Sequence, residues 1–222
     1  MRIDIVSVVP EILHGSFSNF LIKRAINKGL IDIHIHDLRL YGLGKRKKVD
    51  DYPYGGGSGM VIRIEPVYQC FSELLSKRDY DEKIFMTPEG NLFSQKNAKS
   101  LTEKKNIIIL CGRYKGIDQR IRDHLISKEI SIGKYILSGG ELAAAVVVES
   151  IVRLLPGVIQ NQDSILTDSF QKKSFVAPPI YTRPSIYKGW AVPEILLSGH
   201  HKKIKDWFYK KSMQVKKRRL DS

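Results

Sequence analysis

The sequence predicts an α/β protein with a largely parallel sheet, followed by a small basic helical unit. Over the first two-thirds, short β-branched runs alternate with helical patterns, which is the signature of strands joined by crossover helices. The segment 140–155, "GELAAAVVVESIVRLL", continues without a breaker to a Pro156-Gly157 stop, too long for a buried strand and right for a buried helix. Positive charge then gathers in the last quarter of the chain.

The strand expectations are "IDIVSVV" (3–9), "IDIHIHDL" (31–38), "KIFMT" (83–87), "IIILCG" (107–112) and "EISIG" (129–133). Helical spacing of apolar residues falls at about 16–28, 65–77, 95–104 and 117–126. The stretch "GVIQNQDSILTDSFQKKS" keeps no period and reads as a linker. These boundaries predict a domain over 1–160, a linker over 161–173 and a helical domain over 174–222. In "SGHHKKIKDWFYKKSMQVKKRR", Ile204, Trp207, Phe208 and the stem of Lys211 fall on one helical face, ringed by lysines.

Among 222 residues, 42% are apolar and 27% charged, as expected of a folded soluble chain. The net charge is +14, and residues 171–222 hold 13 Lys/Arg against 3 Asp/Glu, so most of the excess lies there. That asymmetry points to a polyanion, nucleic acid ahead of membrane because no amphipathic anchor accompanies it; a merely soluble basic surface is the plainer alternative. The longest apolar run, Leu142 to Val148, is too short for a bilayer. The start "MRIDIVSVVPEIL" lacks a signal peptide's apolar region and cleavage site. Cys70 and Cys111 stand outside any CxxC or Cys/His cluster, so free thiols in a reducing cytoplasm are expected and a zinc site is not.

Ligands of open α/β sheets sit outside the carboxyl ends of the strands. Three glycine-bearing loops follow strands there: "TPEGNLF" (87–93), "CGRYKGID" (111–118) and "SIGKYILSGGEL" (131–142). Any one of them reads equally as a turn, but three at one sheet edge suit a ligand held through backbone groups. The Ser-Gly-Gly of the last loop resembles a phosphate cradle, yet Glu141 follows where a P-loop has Lys-Ser/Thr. A carboxylate in the first turn suits the helix dipole and repels phosphate, which points to a ligand without one.

The motifs "DDYPYGGGSGM" (50–60), "GRYKGIDQR" (112–120), "IGKYILSGGELAA" (132–144), "RLLPGV" (153–158), "DSF" (168–170), "YTRP" (181–184) and "LLSGHH" (196–201) occur in one order. In that order they resemble the bacterial tRNA (guanine-N1) methyltransferases, which modify guanine 37 beside the anticodon. The resemblance runs along essentially the whole chain. It implies a SPOUT-type α/β fold with a deep C-terminal trefoil knot, plus a small basic all-α C-terminal domain. It also implies S-adenosylmethionine as methyl donor, S-adenosylhomocysteine as product, tRNA as partner and a cytoplasmic homodimer.

Carried over motif by motif, the resemblance implies a cofactor pocket formed by Thr87, Pro88, Gly90, Gly112, Tyr114, Lys115, Ser131, Ile132, Gly133, Tyr135, Leu137, Gly139 and Gly140. Such a cofactor wants an apolar slot and backbone hydrogen bonds, and its cationic groups tolerate a carboxylate nearby. Asp168 matches the family's general base and Arg153 the arginine that steadies charge on guanine O6. Read alone, Asp168 would be a helix cap and Arg153 a cation near a helix end. Asp50, Tyr181, Arg183, His200 and Lys202 match positions that meet tRNA. The resemblance admits a magnesium ion, although no carboxylate cluster here demands one.

The sequence departs from the family pattern at Lys115, where the motif usually carries an acidic residue, and at Tyr52, Ser58 and Ile180, where Arg, Pro and His are common. Two other readings remain at this stage: a non-catalytic RNA-binding relative, and a ribose-methylating SPOUT enzyme. The intact glycine loops weigh against the first and Asp168 against the second.

Overall fold

In a computed structural model, which describes residues 1–160, 167–171 and 175–220, the five alternating runs pair as one parallel sheet in the order β2-β1-β6-β5-β7. The strands are β1 (Arg2–Ser7), β2 (Asp32–Asp37), β5 (Glu82–Leu92), β6 (Asn106–Cys111) and β7 (Lys128–Ser131). A two-stranded ribbon, β3 (Asp50–Asp51) with β4 (Val61–Ile62), lies between the second and third of these in sequence. β1 and β6 are in register, Ile3 beside Ile107 and Ile5 beside Ile109.

Both faces of this sheet are covered, which is why its strands read as near-continuous apolar runs. On one face Ile3, Ile5, Ile84, Ile107 and Ile109 pack under α1 (Glu11–Phe17), α2 (Phe20–Asn27), α4 (Gln95–Leu101) and α6 (Glu141–Leu154). On the other, Val6, Phe85, Ile108 and Leu110 meet α3 (Ile64–Lys77) and α5 (Gln119–Leu125). The alternation within "IIIL" of β6 thus sends consecutive side chains into two separate cores. α6 buries Ala143, Ala144, Val147, Val148, Ile151 and Val152, each valine contributing roughly 1.5–3 kcal/mol by removal from water.

Two elements differ from expectation. The helix expected over 16–28 is split: Asn19 is extended at ψ 158° and its side chain accepts a 3.0 Å hydrogen bond from the Ile22 N–H, capping a new helix. The strand expected at 83–87 runs on to Leu92, through "TPEGNL".

The chain divides into two compact units, Met1–Gln160 and Asn161–Ser222. Most of the linker expected over 161–173 lies outside the described residues, which include 167–171 of it. The second unit carries α7 (Glu194–Leu197) and the long α8 (His201–Leu220). It also holds a short ribbon absent from the all-α expectation, β8 (Ile186–Tyr187) with β9 (Trp190–Ala191). Lys188 and Gly189 turn it, both at positive φ (48° and 82°), the pattern of a two-residue hairpin.

Along α8, Ile204, Trp207, Phe208, Lys211 and Ser212 turn inward while the lysines at 202, 203, 205 and 210 are exposed. Trp207 stands edge-on to Phe208 at 5.4 Å, and Lys211 Nζ lies 5.8 Å from the Trp207 ring centre. The Ser212 hydroxyl donates to the Val176 carbonyl at 2.6 Å, fixing the segment before "YTRP" to the helix. Among the described residues no helix is long and apolar enough to cross a membrane.

Candidate functional site

A cavity of about 480 Å³ opens at the carboxyl ends of β5, β6 and β7. Thr87 and Pro88 line it from β5; Gly112, Tyr114 and Lys115 from the loop after β6; Ser131, Ile132, Gly133, Tyr135, Leu137, Gly139 and Gly140 from the loop after β7. The structure thus brings together every residue of the expected cofactor set except Gly90.

Gly90 lies inside β5, pressed against the neighbouring strand. A Cβ there would stand 2.6 Å from backbone atoms of Glu129 and Ile130 in β7. The β5–β7 register shifts between Met86 and Asn91 around this close approach.

The two other loops are stitched together. The Gly140 N–H donates to the Gly112 carbonyl at 2.8 Å, and Arg113 and Gly139 form an antiparallel bridge. A Cβ on Gly140 would meet Cys111 Cα, Gly112 N and Met86 Cβ, each at 3.0 Å, so a larger residue would have to push these neighbours back by a few tenths of an ångström. In the β7 loop, the Gly133 N–H donates to the Ser131 hydroxyl, which donates back to the Gly133 carbonyl at 3.0 Å.

The ribbon of β3 and β4 docks on the second loop. The Ile62 N–H donates to Gly116, and the Asp118 and Lys115 N–H groups donate to Ile62 and Met60, all at 3.0 Å. This brings Asp50 to Tyr114, a half-exposed residue held at φ 60°. Burial first, then the charge of and a hydrogen bond to Asp50, push the Tyr114 phenol up from its ordinary value. Lys115 lies across Gly59 of the glycine run: a Cβ on Gly59 would stand 2.8 Å from Lys115 Cγ.

Sequence reasoning missed part of the wall: Phe85, Met86, Glu89, Arg113, Arg122, Ile130 and Ala143 also line the cavity. Arg122 makes a bidentate pair with Glu129 (both 2.7 Å), reaches Glu89 at 2.9 Å and lies over the Phe85 ring. The Glu129 hydrogen bonds lead in holding its guanidinium well above the ordinary range. The available signal was Arg113's place inside "GRYKG"; Arg122 and Glu129 are seven positions apart and gave none.

Glu141, expected to suit a cationic ligand, turns away from the cavity. It is 1% exposed and accepts a 2.7 Å hydrogen bond from the Ser7 hydroxyl of β1. Cys111 is buried beside it, and burial first, then the Glu141 charge, push that thiol far up. Burial likewise takes Cys70 up to about 12, so neither cysteine offers a thiolate.

The two expected catalytic residues belong to different units. Arg153 is exposed in the last turn of α6, in the first unit. Asp168 is half-buried in a turn of the second. That turn is pinned by the Phe170 N–H donating to Phe175 (2.8 Å) and the Ala177 N–H donating to the Ser169 hydroxyl (2.9 Å). Also in the second unit, Tyr181 packs 6.2 Å from Trp207, Arg183 and Lys202 are exposed, and His200 sits just before α8, its N–H on the Ser198 hydroxyl. Among the described residues no group of three or more His, Cys, Asp and Glu could hold a metal ion.

The donor set fits a nucleoside carried without phosphate. Part of its wall is apolar (Phe85, Met86, Ile130, Ile132, Leu137), charged and hydroxyl side chains (Glu89, Arg113, Lys115, Arg122, Thr87, Ser131) line the rest, and its loops bring backbone close at Gly139 and Gly140. A mainly parallel α/β domain with such a cavity is consistent with the SPOUT class of methyltransferases. Within that class, the chain belongs to the family described as tRNA (Guanine-1)-methyltransferase TrmD, whose model matches residues 1–222. It is similar to proteins named tRNA (guanine-N(1)-)-methyltransferase. That of Bacteroides thetaiotaomicron is 57% identical over 222 residues, covering 100% of this chain and 98% of the relative. That of Bacteroides fragilis is 57% identical over 218 residues (98% and 96%), and that of Christiangramia forsetii 59% over 207 (93% and 91%).

Proposed function

We propose that this chain transfers the methyl group of S-adenosylmethionine to N1 of guanine 37 in tRNA. The observation that carries the reading is the cavity walled by glycine loops at the strand ends, in a chain of this family. When bound, the cofactor supplies a sulfonium methyl whose C–S bond breaks in line as the bond to N1 forms, leaving S-adenosylhomocysteine.

The chain's own residues then have three tasks. Phe85, Met86, Ile130 and Leu137 seat the adenine and exclude water, while backbone groups of the loops after β6 and β7 hold its polar edge. Tyr114 and Tyr135 pack against the ligand, and the hydrogen bond from Tyr114 to Asp50 orients the phenol. Asp168 accepts the proton that leaves N1, and Arg153 offsets the negative charge that grows on guanine O6. Acceleration comes chiefly from holding N1 and the methyl carbon in line.

In this reading the β6 and β7 loops belong to a trefoil knot, and two chains complete each site in a homodimer. Residues 1–160 bind the cofactor, 161–173 link, and 174–222 bind tRNA through Tyr181, Arg183, His200 and Lys202, in the cytoplasm. Support comes from the cluster of lysines exposed along α8 and from the fixed placement of Tyr181 on Trp207.

The test offers labelled S-adenosylmethionine and tRNA transcripts carrying G or A at position 37. Label is expected in the G37 transcript alone; equal labelling of both, or of neither, would overturn the assignment.

A further inference from the structure

We propose that Glu141 and Arg113 are positioning residues for the methyl-donor pocket, a buried ion pair presented by Ser7 that sets the shape of the loop above it. The proposal rests on the methyl-donor reading of the cavity and names what holds its last loop in place. Glu141 Oε1 is fixed by the Ser7 hydroxyl at 2.7 Å, and Ser7 in turn accepts the Val9 N–H at 2.9 Å. Glu141 Oε2 faces Arg113 Nη1 at 3.7 Å, an ion pair too long for a hydrogen bond. That Nη1 is enclosed and has no hydrogen-bond partner among the described residues.

Gly139 rides directly on the pair. A Cβ at 139 would fall onto Glu141 Oε2 and within 3.1 Å of Arg113 Nη1. Residues 138–140 have no bulky side chain of their own with which to fix a conformation. Beside the backbone bonds to Gly112 and Arg113, their height over the cavity follows from what lies beneath: the carboxylate on α6, the guanidinium of the β6 loop, and the hydroxyl at the end of β1. A buried pair of this length is a poor source of stability, since desolvation of both charges offsets their attraction. Its effect is to fix a register between three elements where a ligand's outline is decided.

Calorimetric binding of S-adenosylhomocysteine, beside methyl-transfer kinetics, tests this. Glu141→Gln keeps the shape and removes the charge, and is expected to weaken binding about tenfold. Ser7→Ala removes only a hydroxyl that does not line the cavity, and is expected to weaken binding about threefold. In both, KM for the methyl donor should rise while kcat and KM for tRNA stay near wild type. Asp4→Asn, in the same strand but hydrogen-bonded to Arg2, His36 and Tyr80, is the control: it should lower the unfolding midpoint with affinity unchanged within about twofold. If wild-type chain binds the ligand and Ser7→Ala and Glu141→Gln bind it equally well, or no worse than a control of matched stability, the positioning role is overturned. If the wild-type chain binds no S-adenosylhomocysteine, the methyl-donor reading falls and takes this proposal with it.

Discussion

Asp4 is fully buried in β1. Burial alone would raise its carboxyl above the ordinary 3.8, but hydrogen bonds from His36, Arg2 and Tyr80 and the charge of Arg2 outweigh it, holding the group well below the usual carboxylate range. A folded value below the unfolded one gives stability that is fully present above about pH 4 and drains away as pH falls through the folded value. Asp4→Asn keeps one acceptor oxygen but turns the other into a donor facing donors, removes the charge that pairs with Arg2, and should cost about 2–4 kcal/mol at pH 7, with the gap to wild type narrowing below about pH 4. Urea unfolding across a pH series checks this; a gap independent of pH would contradict the ionised assignment. Asp168→Asn should cut methyl transfer by at least about a hundredfold while S-adenosylhomocysteine binding is kept, since the amide cannot take the N1 proton. Single-turnover kinetics beside calorimetry separates the two, and wild-type turnover would remove Asp168 as the base.

At the scale of elements, what could be read in advance follows from who decides the local structure. Strand β6 was legible because its side chains are buried on both sheet faces, and helix α6 because it buries a long apolar stripe on one of them; burial leaves a mark in composition. The split at Asn19 and the length of β5 were not, because a capping side chain and a tertiary partner settle them. "TPEG" has turn chemistry, yet pairing with β7 extends it as strand, and Gly90 is there to let two backbones meet. The site followed the same division. Glycine loops marked the cavity's rim from sequence, whereas the Arg122–Glu129–Glu89 wall and the Ser7–Glu141–Arg113 pair join residues that only the fold brings together. Gly90→Ala should therefore act as a packing lesion, costing about 1–3 kcal/mol by forcing β5 from β7. Because β7 leads into the cavity loop, S-adenosylhomocysteine binding should weaken as well. A thermal shift near zero would mean the strands separate freely at that point.

At the scale of the molecule, charge is divided as unevenly as structure. The segment 171–222 holds 13 of the 37 Lys/Arg and only 3 of the 23 Asp/Glu, and Lys202, Lys203, Lys205 and Lys210 of α8 face solvent while Trp207 and Phe208 turn inward. If that face meets tRNA, its contacts are mostly to phosphate, and each neutralised phosphate releases condensed counterions. Affinity for tRNA should then fall steeply between about 50 and 200 mM salt, while affinity for S-adenosylhomocysteine, held by apolar walls and backbone, should barely change. Replacing Lys202, Lys203 and Lys205 with Gln should lower the slope of log affinity against log salt by up to about 3, weakening all tRNA sequences alike, G37 and A37 included. Loss of discrimination without loss of slope would place base readout, rather than phosphate contact, on this helix. An unchanged slope and affinity would move the tRNA surface off α8 altogether.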